Sequence, residues 1–388
     1  MDYLPNIFFA IALVVGIGFF VMNILKLIRN IKLGKDIDRS DRKTERWKNM
    51  ARIALGQSKM VSRPFAGFLH VIVYIGFVVI NIEVLEIVID GLFGTHRVFQ
   101  PLLGNSIYGF LIGTFEILAF LVLFAVILFW LRRNIVQLKR FMSKEMKGWP
   151  KSDGNLILYF EIVLMSLFIV MNATDHTFQE AGFGNPISQF VFPWFSGYSL
   201  DTLATIEHTA WWVHIIGILI FLNYLYYSKH LHILLAFPNT FFANLDPKGQ
   251  FNNLASVTSE VRIMMNPDAD PYAMPEEGAE DEIPEKFGAS DVTDLNWVQL
   301  LNAYTCTECG RCTSSCPANM TGKELSPRAI MMKTRDRLEE VGINMDENGG
   351  IFKDDGKQLL NDYITPEELW ACTSCNACVE ECPIDIDP

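Results

Sequence analysis

Over its first 245 residues the chain alternates between long apolar runs and short polar connections. Five runs, residues 4–28, 65–89, 107–131, 156–173 and 209–227, match the roughly 20 apolar residues that a helix needs to cross a bilayer. The first run lacks a basic leader and a small-residue cleavage site, so it is read as a retained helix. Beyond residue 245 the apolar runs stop. Residues 246–294 carry Pro267, Pro271, Pro275 and Pro284 among the acids Glu276, Glu277, Glu280, Asp281 and Glu282, a composition that buries no core and reads as a linker. Periodicity returns in residues 295–388. Ser326 as N-cap with Pro327 behind it predicts a helix over 326–340, and a second short one is expected over 366–372. The pattern is all-α: a five-helix membrane domain (1–245), the linker (246–294) and a helical C-terminal domain (295–388).

Charge gives the membrane domain a direction. Arg29, Lys32, Lys35, Arg39, Arg42, Lys43, Arg46, Lys48, Arg52, Lys59 and Arg63 lie between the first two runs. Arg132, Arg133, Lys139, Arg140, Lys144, Lys147 and Lys151 follow the third, whereas the other two connections hold only Arg97. The positive-inside rule then puts the N-terminus outside and the C-terminal domain in the cytoplasm of a multi-pass inner-membrane protein. Residues 47–60 read as an amphipathic helix on the membrane surface or as a plain basic loop. The outer loop 175–207, with Phe183, Phe192, Trp194 and Phe195, reads equally as a re-entrant lid or an aromatic belt. From residue 246 onward there are 11 Lys/Arg against 28 Asp/Glu, and before it 21 against 16. Neither half has the basic patch of a nucleic-acid binder.

All eight cysteines fall in the C-terminal domain. Cys306, Cys309, Cys312 and Cys316, closed by Pro317, form C-x-x-C-x-x-C-x-x-x-C-P, and Cys372, Cys375, Cys378 and Cys382, closed by Pro383, repeat it. That run binds [4Fe-4S] cubanes, with the fourth cysteine reaching across to the other cluster. The assignment is therefore Cys306, Cys309, Cys312 and Cys382 for one cluster, and Cys372, Cys375, Cys378 and Cys316 for the second. Structural zinc also wants four soft ligands, but two full copies each ending in Cys-Pro favour clusters. A reducing cytoplasm disfavours disulfides. Only five residues follow Pro383, where such domains ordinarily continue into a helix, so a further C-terminal tail is expected.

Polar residues within the membrane runs need a reason. His70 lies six residues beyond Pro64, and His214 and His232 are 18 residues apart, five helical turns or about 27 Å along one face. Two imidazoles on one stripe at different depths suit two stacked haems. Glu83, Glu86, Glu116 and Glu161 also fall in the runs. Glu116, nearest mid-membrane, reads either as part of a proton or quinone path or as a carboxyl bonded to a neighbouring helix. Arg63, Arg132 and Arg133 stand either as haem-propionate partners or as ordinary membrane-flank anchors.

Five spans, an early histidine in the second, and H-x17-H with Ser228-Lys229 just before its last histidine resemble the diheme cytochrome b subunit of respiratory nitrate reductases. The fusion to paired four-cysteine motifs resembles membrane electron-transfer subunits of heterodisulfide reductase and sulfite-reduction complexes. The resemblance implies His70 and His232 as ligands of an inner haem b and His214 as one ligand of an outer haem. The expected outer partner, ten residues beyond His70, is Ile80, which cannot bind iron. His176 and His208 remain for that place, with His176 preferred, and His230 competes with His232. The implied function is electron transfer between the quinone pool and a cytoplasmic redox subunit with a cysteine-rich or flavin domain, through one or two haems and two clusters. No dinucleotide fingerprint, flavin site or catalytic triad is present in the chain. The competing reading is a haem-free structural or regulatory iron–sulfur anchor.

Overall fold

The computed structural model describes residues 3–250, 253–267 and 286–388. Among them all regular structure is helical, and the β pairings are two isolated bridges. The chain divides into two compact units. One comprises Met1–Leu27, Ala51–Ala236 and Thr307–Cys309, the other Ile28–Met50, Phe237–Cys306 and Gly310–Pro388. In chain order, α1 (Leu4–Ile31) is followed by α2 (Lys43–Met50), α3 (Pro64–Phe93), α4 (Phe99–Asn134) and α5 (Trp149–Thr174). The short α6 (His176–Ala181) and α7 (Ser188–Val191) lead into α8 (Leu200–Tyr224).

Five of these helices, α1, α3, α4, α5 and α8 with its extension to Tyr227, are long and apolar enough to cross a membrane, and the chain is a multi-pass membrane protein. Each begins or bends where the sequence permits. Pro64 starts α3, Gly94 closes it in the left-handed conformation, and Gly104 (φ 74°) bends α4 near its start. In the first unit α3 packs on α4, α4 on α5 and α5 on α8. The N-terminal part of α1 is pinned by Asn6, whose Nδ2 donates to the Gly91 carbonyl (2.8 Å), and by Asn223, whose Nδ2 donates to the Gly16 carbonyl (2.9 Å).

Glu116 is fully buried and accounts for both of its oxygens. It accepts from Asn172 Nδ2 (3.0 Å) and from the amides of Ile187 (2.9 Å) and Ser188 (3.0 Å). Of its two readings, the carboxyl bonded to neighbouring segments is the one formed. Gly113 approaches Gly184 and Pro186 closely, so the loop descends along α4. Glu116 is twelve residues, about 18 Å of helix, beyond the bend at Gly104, so this part of the 175–207 loop packs along α4.

The second unit holds the remaining helices: α9 (His232–Phe241, whose first five residues belong to the first unit), α10 (Ala255–Met265), α11 (Trp297–Thr305), α12 (Arg311–Ser315), α13 (Pro317–Met320), α14 (Pro327–Glu347), α15 (Pro366–Trp370) and α16 (Ala377–Glu381). The expected helices at 326–340 and 366–372 are α14 and α15. Ser326 Oγ accepts from the Ala329 amide, and Thr365 with Glu368 forms a capping box. Residues 271–284 of the expected linker, with Pro271, Pro275, Pro284 and all five clustered acids, lie outside the described residues.

Residues 28–50 are built into this unit. Arg29 pairs with Asp346 and donates to the Gly342 carbonyl (3.0 Å), and Asn30 donates to Tyr304 Oη (3.0 Å). Lys35 and Trp297 exchange backbone bonds around Leu295, and a side chain at Gly34 would meet the Trp297 backbone at 2.6 Å. On α2 the fully buried Arg46 donates to the carbonyls of Asp41, Phe241 and Ala243. The stretch 47–60, read as an amphipathic surface helix or a plain basic loop, forms the end of α2 and a π turn (Ala51–Leu55), with Arg46 and Asn49 turned into protein.

Candidate functional site

The two cysteine motifs fold alike. Glu308 (φ 53°) and Ser374 (φ 53°) occupy the second position after the first cysteine, and Gly310 (φ 70°, ψ 16°) and Asn376 (φ 55°, ψ 16°) the fourth. Glycine and asparagine tolerate this left-handed conformation best. Each loop then enters a five-residue helix, α12 or α16, and leaves it through an extended cysteine: Cys316 (φ −76°, ψ 119°) or Cys382 (φ −69°, ψ 122°). α12 packs against α16, so Cys312 and Cys378 sit on adjoining helices, each of which ends in the fourth cysteine of its own motif, Cys316 or Cys382. No disulfide joins any of the eight cysteines, of which Cys306, Cys316 and Cys382 are buried and Cys372 and Cys375 exposed. Amides of Ser374 and Ile386 donate to Cys372 Sγ (3.4 Å) and Cys382 Sγ (3.3 Å), and the Ala377 amide holds the Cys375 thiol below its usual pKa. Such N–H···S contacts tune cluster potentials.

The histidine stripe is not continuous. α8 ends at Tyr224, a 3-10 turn follows, Ser228 is extended (φ −115°, ψ 143°), and His232 opens a new helix, α9. The expected five unbroken turns from His214 to His232 are therefore corrected. The cause is the buried Asp153 of α5. Its carboxylate accepts from Tyr224 Oη (2.5 Å), Ser228 Oγ (2.6 Å) and the Lys229 amide (3.2 Å), holding the chain in the break. Lys229 Nζ lies 3.6 Å from the same carboxylate, donates to the Pro150 carbonyl (2.7 Å) and pairs with Glu308, which belongs to the same unit and lies between Cys306 and Cys309.

The break delivers His232 to His70. Their ring centroids are 6.4 Å apart and their planes 42° apart. Two metal–imidazole bonds of about 2.0 Å in line with two ring radii of about 1.2 Å give about 6.4 Å, so the pair fits one iron between two imidazoles. His232 Nδ1 lies 3.0 Å from the Lys229 carbonyl oxygen. Only a protonated Nδ1 bonds there, which leaves the lone pair on Nε2, the arrangement that orients a ligating histidine. Burial lowers the pKa of His232 and, together with the imidazoles of His232 and His70, pushes His230 down to about 3, so both stay neutral. His230 stands perpendicular to His232 at 5.6 Å. In the sequence it competes with His232, and the break brings it beside the pair. Arg132 lies over the Phe65 ring at 5.0 Å, near the start of α3, and Arg133 donates to the Pro150 carbonyl (3.0 Å).

His214 and His176 are not brought together. His176 opens α6, faces Glu180 at 3.6 Å and packs edge-on against Phe192. His214 packs against Phe168. His208 stacks on Trp211, and its Nε2 accepts from Trp212 Nε1 (3.2 Å). Glu161, the sixth residue of the apolar run 156–173, is midway along α5 because that helix begins at Trp149.

A family model described as a 4Fe-4S dicluster domain matches residues 305–386. The chain is 28% identical over 411 residues to the "Probable iron-sulfur-binding oxidoreductase FadF" of Bacillus subtilis, covering 97% of this chain and 53% of that protein. It is 24% identical over 408 residues to the "EtfAB:quinone oxidoreductase" of Syntrophomonas wolfei, covering 97% and 52%. The chain thus spans about half the length of these relatives. A CoB--CoM heterodisulfide reductase iron-sulfur subunit of Methanopyrus kandleri is 29% identical over 85 residues, 22% of this chain and 33% of that protein. No solved structure matches the chain at a significant level. Five membrane helices, a 4Fe-4S dicluster domain over residues 305–386 and these likenesses describe a membrane protein that is similar to iron–sulfur oxidoreductases.

Proposed function

We propose that this chain is the electron-transfer subunit of a quinone-linked membrane oxidoreductase. In this reading Cys306, Cys309, Cys312 and Cys382 hold one [4Fe-4S] cluster, Cys372, Cys375, Cys378 and Cys316 a second, and His70 and His232 one haem b. When bound, these groups supply one-electron relays between the quinone pool and a cytoplasmic redox partner. The observation that carries the reading is the 6.4 Å imidazole pair with its Nδ1 anchored on Lys229. The same unit contains Thr307–Cys309 of the first cluster loop, tied to the haem-side break by the Lys229–Glu308 pair. The exposed Cys372 and Cys375, beside Trp370 at 88% exposure, present the second loop outward to a partner bearing a flavin or cysteine-rich domain. Similarity to an EtfAB:quinone oxidoreductase supports the quinone end. The basic connections support an inner-membrane orientation with the cluster domain in the cytoplasm.

The test is a reduced-minus-oxidised visible spectrum with iron and haem quantification on the purified full chain. About eight non-haem irons, from two cubanes, and about one b haem are expected. His70→Ala and His232→Ala are expected to abolish the b-type α-band while leaving the non-haem iron in place. A wild-type chain with full iron and no α-band would refute the haem site.

A further inference from the structure

A cavity of ≈ 80 Å³ lies within the first unit among α3, α4, α5 and α8. Its wall is apolar apart from Glu161 of α5, His214 of α8 and Asn81 of α3, whose amide donates to the Phe77 carbonyl. His214 is 2% exposed; its ring hydrogen-bonds the Leu164 backbone, while its Nδ1 has no partner and is left as a lone-pair acceptor. Glu161 is 9% exposed. Within a membrane interior a buried imidazole nitrogen left unsatisfied is costly, and an imidazole and a carboxyl lining one void point to a ligand that hydrogen-bonds both. Phe77 and Asn81, one turn apart on α3, are exposed and line the mouth of the cavity.

We infer that this cavity receives the head-group ring of a lipophilic quinone in its quinol form, with one ring hydroxyl donating to His214 and Glu161 hydrogen-bonded to a ring oxygen. This site deepens the quinone reading proposed above and rests on it. Three features select a ring over a second haem. Ile80, on the cavity wall where a second ligating side chain would stand, offers iron no lone pair. His176, the other histidine weighed for that role, is occupied elsewhere with Glu180 and Phe192. The enclosed volume is about half of the roughly 150 Å³ cavity that takes benzene, with the mouth supplying the rest, and a macrocycle does not fit it. Apolar walls with a few convergent polar groups are what a quinone site requires, since the ring needs burial and its oxygens need orientation.

The probe is 2-heptyl-4-hydroxyquinoline N-oxide, a fluorescent quinol analogue, titrated against the full chain in lipid nanodiscs. Saturable quenching at one probe per chain is expected. His214→Leu and Glu161→Leu each weaken binding about tenfold, the size of one buried hydrogen bond, with the b-type spectrum unchanged. Ile80→Phe fills the cavity without touching either polar group and is expected to block the probe as well. Retention of wild-type affinity in all three variants places quinone binding elsewhere and overturns this site while leaving the quinone reading standing. Loss of haem in His214→Leu makes the residue an iron ligand and likewise overturns it. Absence of any probe binding in the wild type defeats the site and the quinone end together. A chain without an α-band whose probe binding still responds to the three variants keeps this site and refutes only the haem.

Discussion

Arg337 is fully buried on α14, yet it makes five charge-assisted hydrogen bonds: to both oxygens of Asp291 (3.0 and 2.8 Å), both of Asp355 (2.6 and 3.1 Å) and the Lys357 carbonyl (2.8 Å). Asp291 also accepts from the Val292 and Leu359 amides, so one guanidinium organises three separate segments of the cluster domain. Removing it leaves two carboxylates facing each other in a half-buried site. Arg337→Leu is expected to cost about 3 kcal/mol, read as a lowered unfolding midpoint and accelerated loss of cluster absorbance on mild heating. The eight cysteines were legible because cluster binding leaves a spacing in the sequence. Arg337 was not. Within SPRAIMMKTRDRLEE it looks like any solvated charge, and its burial is decided by Asp291 and Asp355, 46 and 18 residues away.

At the scale of elements, hydropathy located the five spans, since a helix in lipid satisfies its own backbone and needs only a sufficiently long apolar run. Periodicity failed at the end of the fifth, where counting turns from His214 to His232 assumed one helix. The helix stops because Asp153 offers better partners to Tyr224, Ser228 and Lys229, and that aspartate lies 71 to 76 residues earlier in the chain. Asp153→Ala strips the acceptor from a hydroxyl pair, an amide and an ammonium at once. It is expected to cost about 3 kcal/mol and, by freeing the turn that carries His232, to weaken or shift the b-type α-band, whereas Asp153→Asn retains most of both. An α-band and melting temperature unchanged in Asp153→Ala would show that the break is set by something else. The doubled cluster loop was legible down to its proline, but the use of Asn376 where the first copy has Gly310 becomes meaningful only with the shared positive φ in view.

For the whole molecule, the split between a basic apolar front and an acidic back was visible in composition, and the same asymmetry carries a topological prediction. A fluorescent protein fused after residue 388 is expected to fluoresce, and alkaline phosphatase fused within the 175–207 loop to be active; the opposite pair of results would invert the assignment. Domain limits were less legible than domain types. The cut at residue 295 follows the end of an acidic stretch, whereas the second unit begins at Ile28 and recruits Arg29 and Asn30 through contacts 317 and 274 residues apart in sequence. Such pairings leave no local trace. They also change what a truncation means. A fragment starting at 295 would shed the guanidinium that holds Asp346, the Lys35 backbone that meets Trp297 and the whole of α2, exposing the surfaces they cover. The iron–sulfur portion is therefore no detachable bead: the polypeptide threads through it before it has crossed the bilayer a second time, and a nascent chain must keep that first loop waiting until more than two hundred further residues have been made.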